Sequence, residues 1–430
     1  MPKVAFYGNN LNQGYFFVRN LNRFGLQTKL FCIDYLYPQE HHNWWTDQSL
    51  DSDLIRRFQT NGLNLGTLRS LRSIPEIREV YDEIKGYDVI VMMEDGPAMF
   101  SELKGVKKVF LSQGADLQIM PFLMNIVYRP MNLLKELLGN LRKVLSGDVK
   151  AARKSCDYIK EMLRSARFQA RQRKGLQQCA ALICAPHQKS LIDRLELDHN
   201  KVHYLSLPMD ASVLAEVDRH EVSRLQERYA DVDILFFHPT RQFYIRENND
   251  RFLKDNDKLL YAYARFLGKT TKRVKLLLVL KGREGDIAYS QRLIREMNLE
   301  GDVEWLPEMP NKRLRAYYSL NQVVLCDQYS PHLAILGNTG REATFYGRPI
   351  ISAFAEWNRA YYGQDLPLHV FPAQTVDEIV SAMGKVASLS PEEREELSNG
   401  AVQWFRRNLD SQSLLPKYMD LFSNVSKSFS

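Results

Sequence analysis

The chain has 430 residues, of which 45% are hydrophobic and 25% charged, the composition of an ordinary globular protein. This length exceeds what one hydrophobic core supports and predicts two domains of roughly 200 residues each. No run of about 18 apolar residues occurs, so we expect no transmembrane helix. Five scattered cysteines without a CxxC pair indicate reduced thiols, and no metal-ligand spacing is found, so we expect a cytoplasmic protein without a bound metal.

The first half of the chain reads as alternating strands and helices. An apolar strand at residues 4–7 runs into a loop with Asn10 and Gly14, and the following helix ends at Gly25. This alternation predicts a parallel sheet covered on both faces, with ligands at the carboxyl ends of its strands. Further strands are predicted at 28–33, 87–93, 108–111, 181–184 and 202–205, and helices at 74–85 and 186–195; residues 34–60 are expected to be irregular.

An unusual insert covers about residues 119–175. Between positions 135 and 174 there are twelve Lys/Arg and four Asp/Glu, so this segment carries +8 of a chain whose net charge is +7. Residues 150–172 have a helical pattern with one apolar and one basic face. Such a helix either lies on an anionic membrane surface and guides a lipid-linked acceptor, or packs its apolar face on the domain. No nucleic-acid-binding motif accompanies the charges, so nucleic acid is not an expected partner.

A second set of elements begins after a linker at residues 207–210. A polar helix at 211–229 leads to a strand at 234–237, which Arg241 follows, and the next helix starts near Lys254. The other predicted strands are 274–280, 303–306 and 323–326, and the other predicted helices are 287–297, 311–318, 391–408 and 411–422.

A glycine-containing loop, a short helix and a buried strand are predicted at residues 337–351. Thr339 is expected to be the N-cap of the helix, with Glu342 three residues later completing a capping box. Free amides at a helix start bind anions, and glycines let the backbone approach a ligand closely. The alternative is a loop and helix that only pack in an α/β layer. The residues at this helix start are Gly337, Asn338, Thr339 and Gly340.

These segments resemble the motifs of a known enzyme family. Arg241 together with residues 254–262 resembles the "Arg … Lys-Gly-x-Asp-x-Leu-Leu-x-Ala" motif, and residues 342–351 resemble "Glu-Ala-x-x-x-Gly-x-Pro-Val-Ile". Both motifs belong to the GT-B-fold retaining glycosyltransferases of the large bacterial and archaeal family (family four, glycosyltransferase group 1) that uses nucleotide-activated sugars. The match is clearest over residues 234–351 and looser in the first half.

The resemblance implies an α/β architecture of two Rossmann-like domains facing a central cleft, with C-terminal helices that cross back to the first domain. The implied bounds are 1–208 for an acceptor-side domain, 209–405 for a domain that binds the nucleotide sugar, and 406–430 for the returning helix.

The resemblance also implies the roles of individual residues. Arg241 and Lys254 would clamp the donor diphosphate, and Glu342 would bind the ribose hydroxyls. Two cations suit this chemistry because the leaving nucleoside diphosphate gains negative charge as the glycosidic bond breaks. The donor is further expected to contact the loop with Asn10 and Gly14, the backbone near Leu306, and the amides of Gly337, Asn338, Thr339 and Gly340.

The implied function is transfer of a sugar from a nucleoside diphosphate sugar to a hydroxyl of a glycan or lipid-linked saccharide, with retention and without a metal or other cofactor. The enzyme is expected in the cytoplasm, and peripheral association with the cytoplasmic face of an anionic membrane is one of the two alternatives for the basic insert.

Two positions depart from the family pattern. Ile335 stands where many members have a first Glu, and Gln113 stands where many have a His before a Gly-Ser-Asp element. A sugar-nucleotide epimerase of the same fold and a non-catalytic nucleotide-sugar-binding protein therefore remain as alternatives. A dehydrogenase is disfavoured because no GxGxxG fingerprint follows any predicted strand.

Overall fold

The computed structural model describes residues 1–9, 12–33, 42–58, 65–67, 70–113, 115–124, 138, 149–244, 253–363 and 366–428. The chain divides into two compact units, each built around one sheet. The first unit contains residues Met1–His41, Ser49–Leu205 and Lys417–Ser430, and the second contains His42–Gln48 and Ser206–Pro416.

The sheet of the first unit has seven parallel strands in the order β3-β2-β1-β4-β5-β6-β7. Its central strands β1 and β4 are buried on both faces, which explains why they read as continuous apolar runs. The strands are β1 (Val4–Tyr7), β2 (Thr28–Ile33), β3 (Ile55–Phe58), β4 (Val89–Met92), β5 (Lys107–Leu111), β6 (Ala181–Ile183) and β7 (Val202–His203).

The described helices between these strands follow the predicted alternation. They are α1 (Gln13–Arg23), α3 (Pro75–Ile84), α4 (Gly96–Met99), α5 (Ala115–Gln118), α6 (Val149–Gln177) and α7 (Lys189–Arg194), while α2 (His42–Trp45) belongs to the second unit. The end of the chain also joins the first unit: the Tyr418 ring lies 4.9 Å from Phe17, and Phe422 lies 6.0 Å from Phe6, between ring centroids.

The sheet of the second unit has six parallel strands in the order β10-β9-β8-β11-β12-β13. The strands are β8 (Ile234–His238), β9 (Val274–Val279), β10 (Val303–Leu306), β11 (Val323–Cys326), β12 (Ile350–Ser352) and β13 (Val370–Pro372). The helices are α8 (Ala211–Leu214), α9 (Arg219–Arg228), α10 (Asp257–Leu267), α11 (Glu284–Glu296), α12 (Asn311–Tyr318), α13 (Asn338–Phe345), α14 (Arg359–Tyr362), α15 (Val376–Ser388) and α16 (Pro391–Asn408). The last helix, α17 (Ser411–Lys427), begins in the second unit, and its residues from Lys417 onward belong to the first.

The predicted α/β class with two Rossmann-like parallel sheets is confirmed. Two local predictions were wrong. The segment at 34–60 contains the edge strand Ile55–Phe58, whose two central residues are exposed arginines and therefore hide the strand from an apolar pattern. The single helix predicted at 211–229 is two helices, because Asp218 accepts hydrogen bonds from the amides of His220 and Glu221 and starts a new helix.

Candidate functional site

The order of the strands marks one edge of the second sheet as the candidate site. Neighbouring strands β8 and β11 lie where the strand order reverses, and in open α/β sheets ligands bind at the carboxyl ends of such a pair. Arg241 follows β8, and Asp327 follows β11 directly. The predicted loop at Gly337 belongs to the same connection, before α13.

Arg241 and Lys254, the predicted phosphate clamp, lie close enough that the charge of Arg241 lowers the pKa of Lys254. Part of the Arg241 side chain is exposed, yet the surrounding protein and the Arg283 guanidinium lower its pKa. Burial also lowers the pKa of Lys254; Asp327 opposes this shift and Arg241 adds to it. Lys254 Nζ donates a hydrogen bond to Gln328 Oε1. No carboxylate in the described part of the chain pairs with Arg241.

Asp327 organises the start of α13. Its buried carboxylate accepts hydrogen bonds from Gly337 N at 3.0 Å, Thr339 Oγ1 at 2.9 Å and Thr240 Oγ1 at 3.0 Å. The helix N-terminus that the sequence suggested as an anion site therefore already holds a carboxylate of this chain. The amides of Asn338, Thr339 and Gly340 donate to no acceptor among the described residues, as expected for a first helical turn.

The predicted capping box is wrong. The N-cap is Gly337, without a side-chain hydrogen bond, and Thr339 lies inside the helix. Thr339 donates its hydroxyl hydrogen bond to Asp327 instead, so Glu342 has no capping role. The segment still begins a helix, but an aspartate from the preceding strand end stabilises it.

Glu342 points into the interior of the second unit. It is 2% exposed, and both carboxylate oxygens accept from Asn311 Nδ2, at 2.9 and 3.0 Å. Asn311 Oδ1 in turn accepts from Arg315 Nη2 at 3.4 Å. Burial raises the pKa of Glu342 to about 7, although Arg315, Asn311 and Arg341 act in the opposite direction. Its contact with a ribose therefore stays a prediction.

Three further residues surround the candidate-site edge of the second sheet: Leu306, Ile335 and Gln328. Leu306 ends β10, and its carbonyl accepts from Leu280 N at 2.8 Å. Ile335 is partly buried against the apolar core, so the place of the family's first Glu carries no polar group. Gln328 Nε2 donates to the carbonyls of Leu333 at 2.6 Å and Ile335 at 2.7 Å. Gln328 thus joins Lys254 to the loop before α13.

Sequence reasoning missed a buried pair that holds Arg241. His238 Nδ1 lies 2.7 Å from the carbonyl of Cys326, and its Nε2 lies 2.7 Å from Asn256 Nδ2. Asn256 Nδ2 also donates to the Arg241 carbonyl at 3.0 Å. Because His238 and Asn256 are distant in sequence and match no motif, only their shared position beside the strand ends identifies them.

The structure describes only some of the first-unit residues that are predicted to contact the donor. Asn10 lies outside the described residues. Gly14 is the second residue of α1, and an added Cβ there would lie 2.2 Å from the Gly8 carbonyl oxygen, so the helix start needs a glycine for space. Gln113 N donates to Asp116 Oδ2 at 2.8 Å, and the fully buried Asp116 carboxylate orders this loop. A donor contact by Gly14 stays a prediction.

The basic helix α6 is packed at one end and exposed near its middle. Gln172 and Leu176 are buried, whereas Ile159 is 38% and Leu163 is 49% exposed. Lys160 and Arg167 are exposed beside them. The alternative in which the apolar face packs on the domain does not hold at Ile159 and Leu163.

Two features are absent from the residues that the structure describes. No helix among them has the length and apolar content that a membrane crossing requires. The same part of the chain has no group of three or more His, Cys, Asp or Glu side chains placed to hold a metal ion. Metal independence stays a prediction.

The architecture is that of the GT-B glycosyltransferases. Solved structures similar to this chain include a glycosyltransferase from Rickettsia africae, with a TM-score of 0.66, 12% identity and full coverage of both chains. Sucrose-phosphate synthase from Thermosynechococcus elongatus has a TM-score of 0.64 and 14% identity over 99% of both chains.

A third similar structure is HepE from Anabaena, solved in complex with UDP and glucose. It has a TM-score of 0.62 and 12% identity, covering 99% of this chain and all of HepE. No protein-family model and no curated protein sequence matches this chain. At these identities the likeness shows the shared fold alone.

Proposed function

We propose that this protein is a retaining glycosyltransferase that moves a sugar from a nucleoside diphosphate sugar to a hydroxyl acceptor. The observation that carries the proposal is the pair of cations, Arg241 and Lys254, beside β8 and β11, where the strand order of the second sheet reverses. An anion bound there would relieve the repulsion between two partly desolvated positive charges. The fold is that of glycosyltransferases, and HepE, which shares it, is solved with UDP and glucose.

In the proposed reaction the bond between the sugar C1 and the phosphate oxygen breaks, and the nucleoside diphosphate leaves. Arg241 and Lys254 would stabilise the charge that grows on its oxygens, the kind of electrostatic term that supplies much of the barrier reduction in enzymes. The acceptor hydroxyl would attack from the face that the leaving group vacates, and its proton would pass to a leaving phosphate oxygen. This route retains the configuration and requires neither a metal nor a protein base.

The proposed acceptor is a glycan or lipid-linked saccharide at an anionic membrane surface. The support is the exposed apolar pair Ile159 and Leu163 on a helix whose neighbouring positions are basic. Apolar side chains beside cations suit a surface with both acyl chains and anionic headgroups. The enzyme would then work peripherally at the cytoplasmic face.

The test is a nucleotide-sugar assay with matched lysine variants. UDP- and GDP-sugars are incubated with acceptor extracts, and both hydrolysis and transfer are measured. Lys254→Ala should lower transfer at least about a hundredfold because one of the two charges on the leaving group is lost. Lys269→Ala, which removes an exposed lysine elsewhere in the second unit, should have no effect. Dialysis against EDTA should leave the wild-type rate unchanged.

The outcomes distinguish the alternatives. Full turnover by Lys254→Ala would refute the assignment of the clamp. Loss of the donor without any acceptor would indicate an epimerase, and tight binding of UDP or GDP without turnover would indicate a non-catalytic binding protein. A rate that EDTA abolishes and Mg²⁺ restores would contradict the metal-free mechanism.

A further inference from the structure

The loop after β9 places a third cation next to Arg241. Arg283 precedes α11, and Gly282 before it has φ +144°, a conformation that favours glycine. A Cβ on Gly282 would lie 2.3 Å from the carbonyl oxygen of Gln242, and Gln242 N donates to the Lys281 carbonyl at 2.7 Å. The loop is therefore fixed against the segment that carries Arg241.

Phe243 connects all three cations. The Arg283 guanidinium carbon lies 4.0 Å from the centroid of the Phe243 ring, and that of Arg241 lies 5.2 Å from it. The Phe243 carbonyl accepts a hydrogen bond from Lys254 N at 2.7 Å. Both guanidinium groups are thus within the range of cation–π attraction to one ring, and its backbone holds Lys254.

The two arginines differ in how their charges are balanced. Arg283 Nε donates to Asp286 Oδ2, whose side chain is fully buried, and Asp286 Oδ1 accepts from Tyr244 N at 3.1 Å. Arg241 has no such carboxylate among the described residues. Arg283 is consequently anchored by a buried carboxylate, whereas no described carboxylate anchors Arg241.

We propose that Arg283 is a positioning residue: anchored on Asp286, it fixes the Phe243 ring and thereby holds Arg241 and Lys254 in place for the diphosphate of a nucleotide ligand. This inference rests on the proposed function. A free arginine has many rotamers, so a side chain ordered before binding loses less conformational entropy when the anion arrives. Arg283 acts through Phe243 and contacts no substrate itself.

The experiment distinguishes the affinity for the diphosphate group from the affinity for the nucleoside. Isothermal titration calorimetry of the full chain compares UDP with uridine, and GDP with guanosine, for wild type, Arg283→Gln and Phe243→Leu. Both variants should weaken binding of the diphosphate about tenfold, because Arg241 is then less ordered, and leave the nucleoside unchanged. Arg283→Lys keeps the charge but lacks the planar group, so it should resemble Arg283→Gln.

The matched control is Arg292→Gln. Arg292 also lies over an aromatic ring, 4.9 Å from the centroid of Tyr289, and pairs with Glu296 at 3.6 Å on the same helix α11. Its loss should change neither affinity. Circular dichroism of each variant verifies folding.

Three results would overturn the inference. An unchanged diphosphate affinity in both Arg283→Gln and Phe243→Leu would show that the stack positions nothing. An equal loss for diphosphate and nucleoside would show a general structural role. If the wild type binds neither UDP nor GDP, the proposed function fails as well, and this outcome is distinct because it appears before any variant is compared.

Discussion

The carboxylate of Glu342 makes the stability of the second unit depend on pH. Its pKa in the folded protein is about 7, above the ordinary value of 4.5, because burial disfavours the charged form. Between these pH values the folded state binds more protons than the unfolded state. The stability that protonated Glu342 contributes is therefore complete below 4.5 and is lost as the pH rises through 7.

We expect Glu342→Gln to remove this dependence, since glutamine resembles the protonated acid. Between pH 5.5 and 8 the free energy of unfolding of the wild type should fall by about 2 kcal/mol relative to the variant. Urea unfolding at several pH values measures the difference, and Glu395→Gln, an exposed position on α16, is the control. Parallel curves for wild type and Glu342→Gln would contradict the raised pKa.

The residues of the candidate site differ in how far sequence alone could predict them. Arg241, Lys254 and Glu342 stand in motifs whose spacing is visible along the chain. Phe243 stands outside these motifs, and Asn256 stands at a position where one of them accepts any residue. Their importance lies in pairings formed only when β8 meets the start of α10 and the loop after β9. Asp327 was visible as a polar residue after a strand, but its bond to Gly337 depends on a turn of the chain.

Among the elements, α6 crosses α4 at unusually close range. A Cβ on Gly175 of α6 would lie 1.8 Å from the carbonyl oxygen of Pro97 in α4. Gln172, one turn earlier, secures the crossing by accepting from Ala98 N at 3.0 Å and donating to the Glu94 carbonyl at 3.0 Å. The two helices can approach only because position 175 lacks a side chain.

Gly175→Ala should therefore destabilise the first unit, although alanine is the better helix former. Overpacking of this kind costs about 1–3 kcal/mol, and a contact of 1.8 Å with a backbone oxygen belongs at the upper end, above the gain of about 1 kcal/mol in helix propensity. Gly384→Ala on α15 is the control: nothing lies within 4 Å of its added Cβ, so the variant should be slightly stabilised. Thermal unfolding by circular dichroism measures both, and an unchanged midpoint for Gly175→Ala would contradict the close crossing.

A strand can be predicted from its own residues where it is apolar throughout. Val4–Tyr7 and Val323–Cys326 coincide with their predicted bounds because a strand buried on both faces shows an uninterrupted apolar run. The edge strand Ile55–Phe58 has no such run, since its outer side needs no apolar cover. Its position beside β2 depends on the sheet and not on its own residues.

For the whole molecule, charge is distributed unevenly, and α6 carries much of the excess. Its exposed residues Ile159 and Leu163 lie one turn apart, and Lys160 and Arg167 lie on one adjoining side of the helix. One basic residue of α6 is held by the protein: Arg171 donates a hydrogen bond to the Leu65 carbonyl, so not every cation of α6 faces solvent. The exposed members define the surface that would meet a membrane.

We expect the intact protein to float with vesicles that contain anionic lipid and to remain unbound with neutral vesicles. Lys160→Glu combined with Arg167→Glu should abolish flotation, because each basic residue near an anionic surface contributes about 1 kcal/mol and the substitutions reverse the sign. Ile159→Ser combined with Leu163→Ser should also weaken binding. High salt screens the charge attraction but leaves this apolar contribution in place, so the loss should be seen at high salt as well.

The controls make the same chemical changes elsewhere. Lys269→Glu with Lys272→Glu alters the net charge equally at exposed positions of the second unit, and Leu368→Ser removes an apolar side chain that is 90% exposed. Both should float like the wild type. If the charge control loses binding as much as the α6 variant, attraction depends on net charge alone and α6 is not a membrane surface. If no variant changes flotation, the acceptor must be sought among water-soluble glycans.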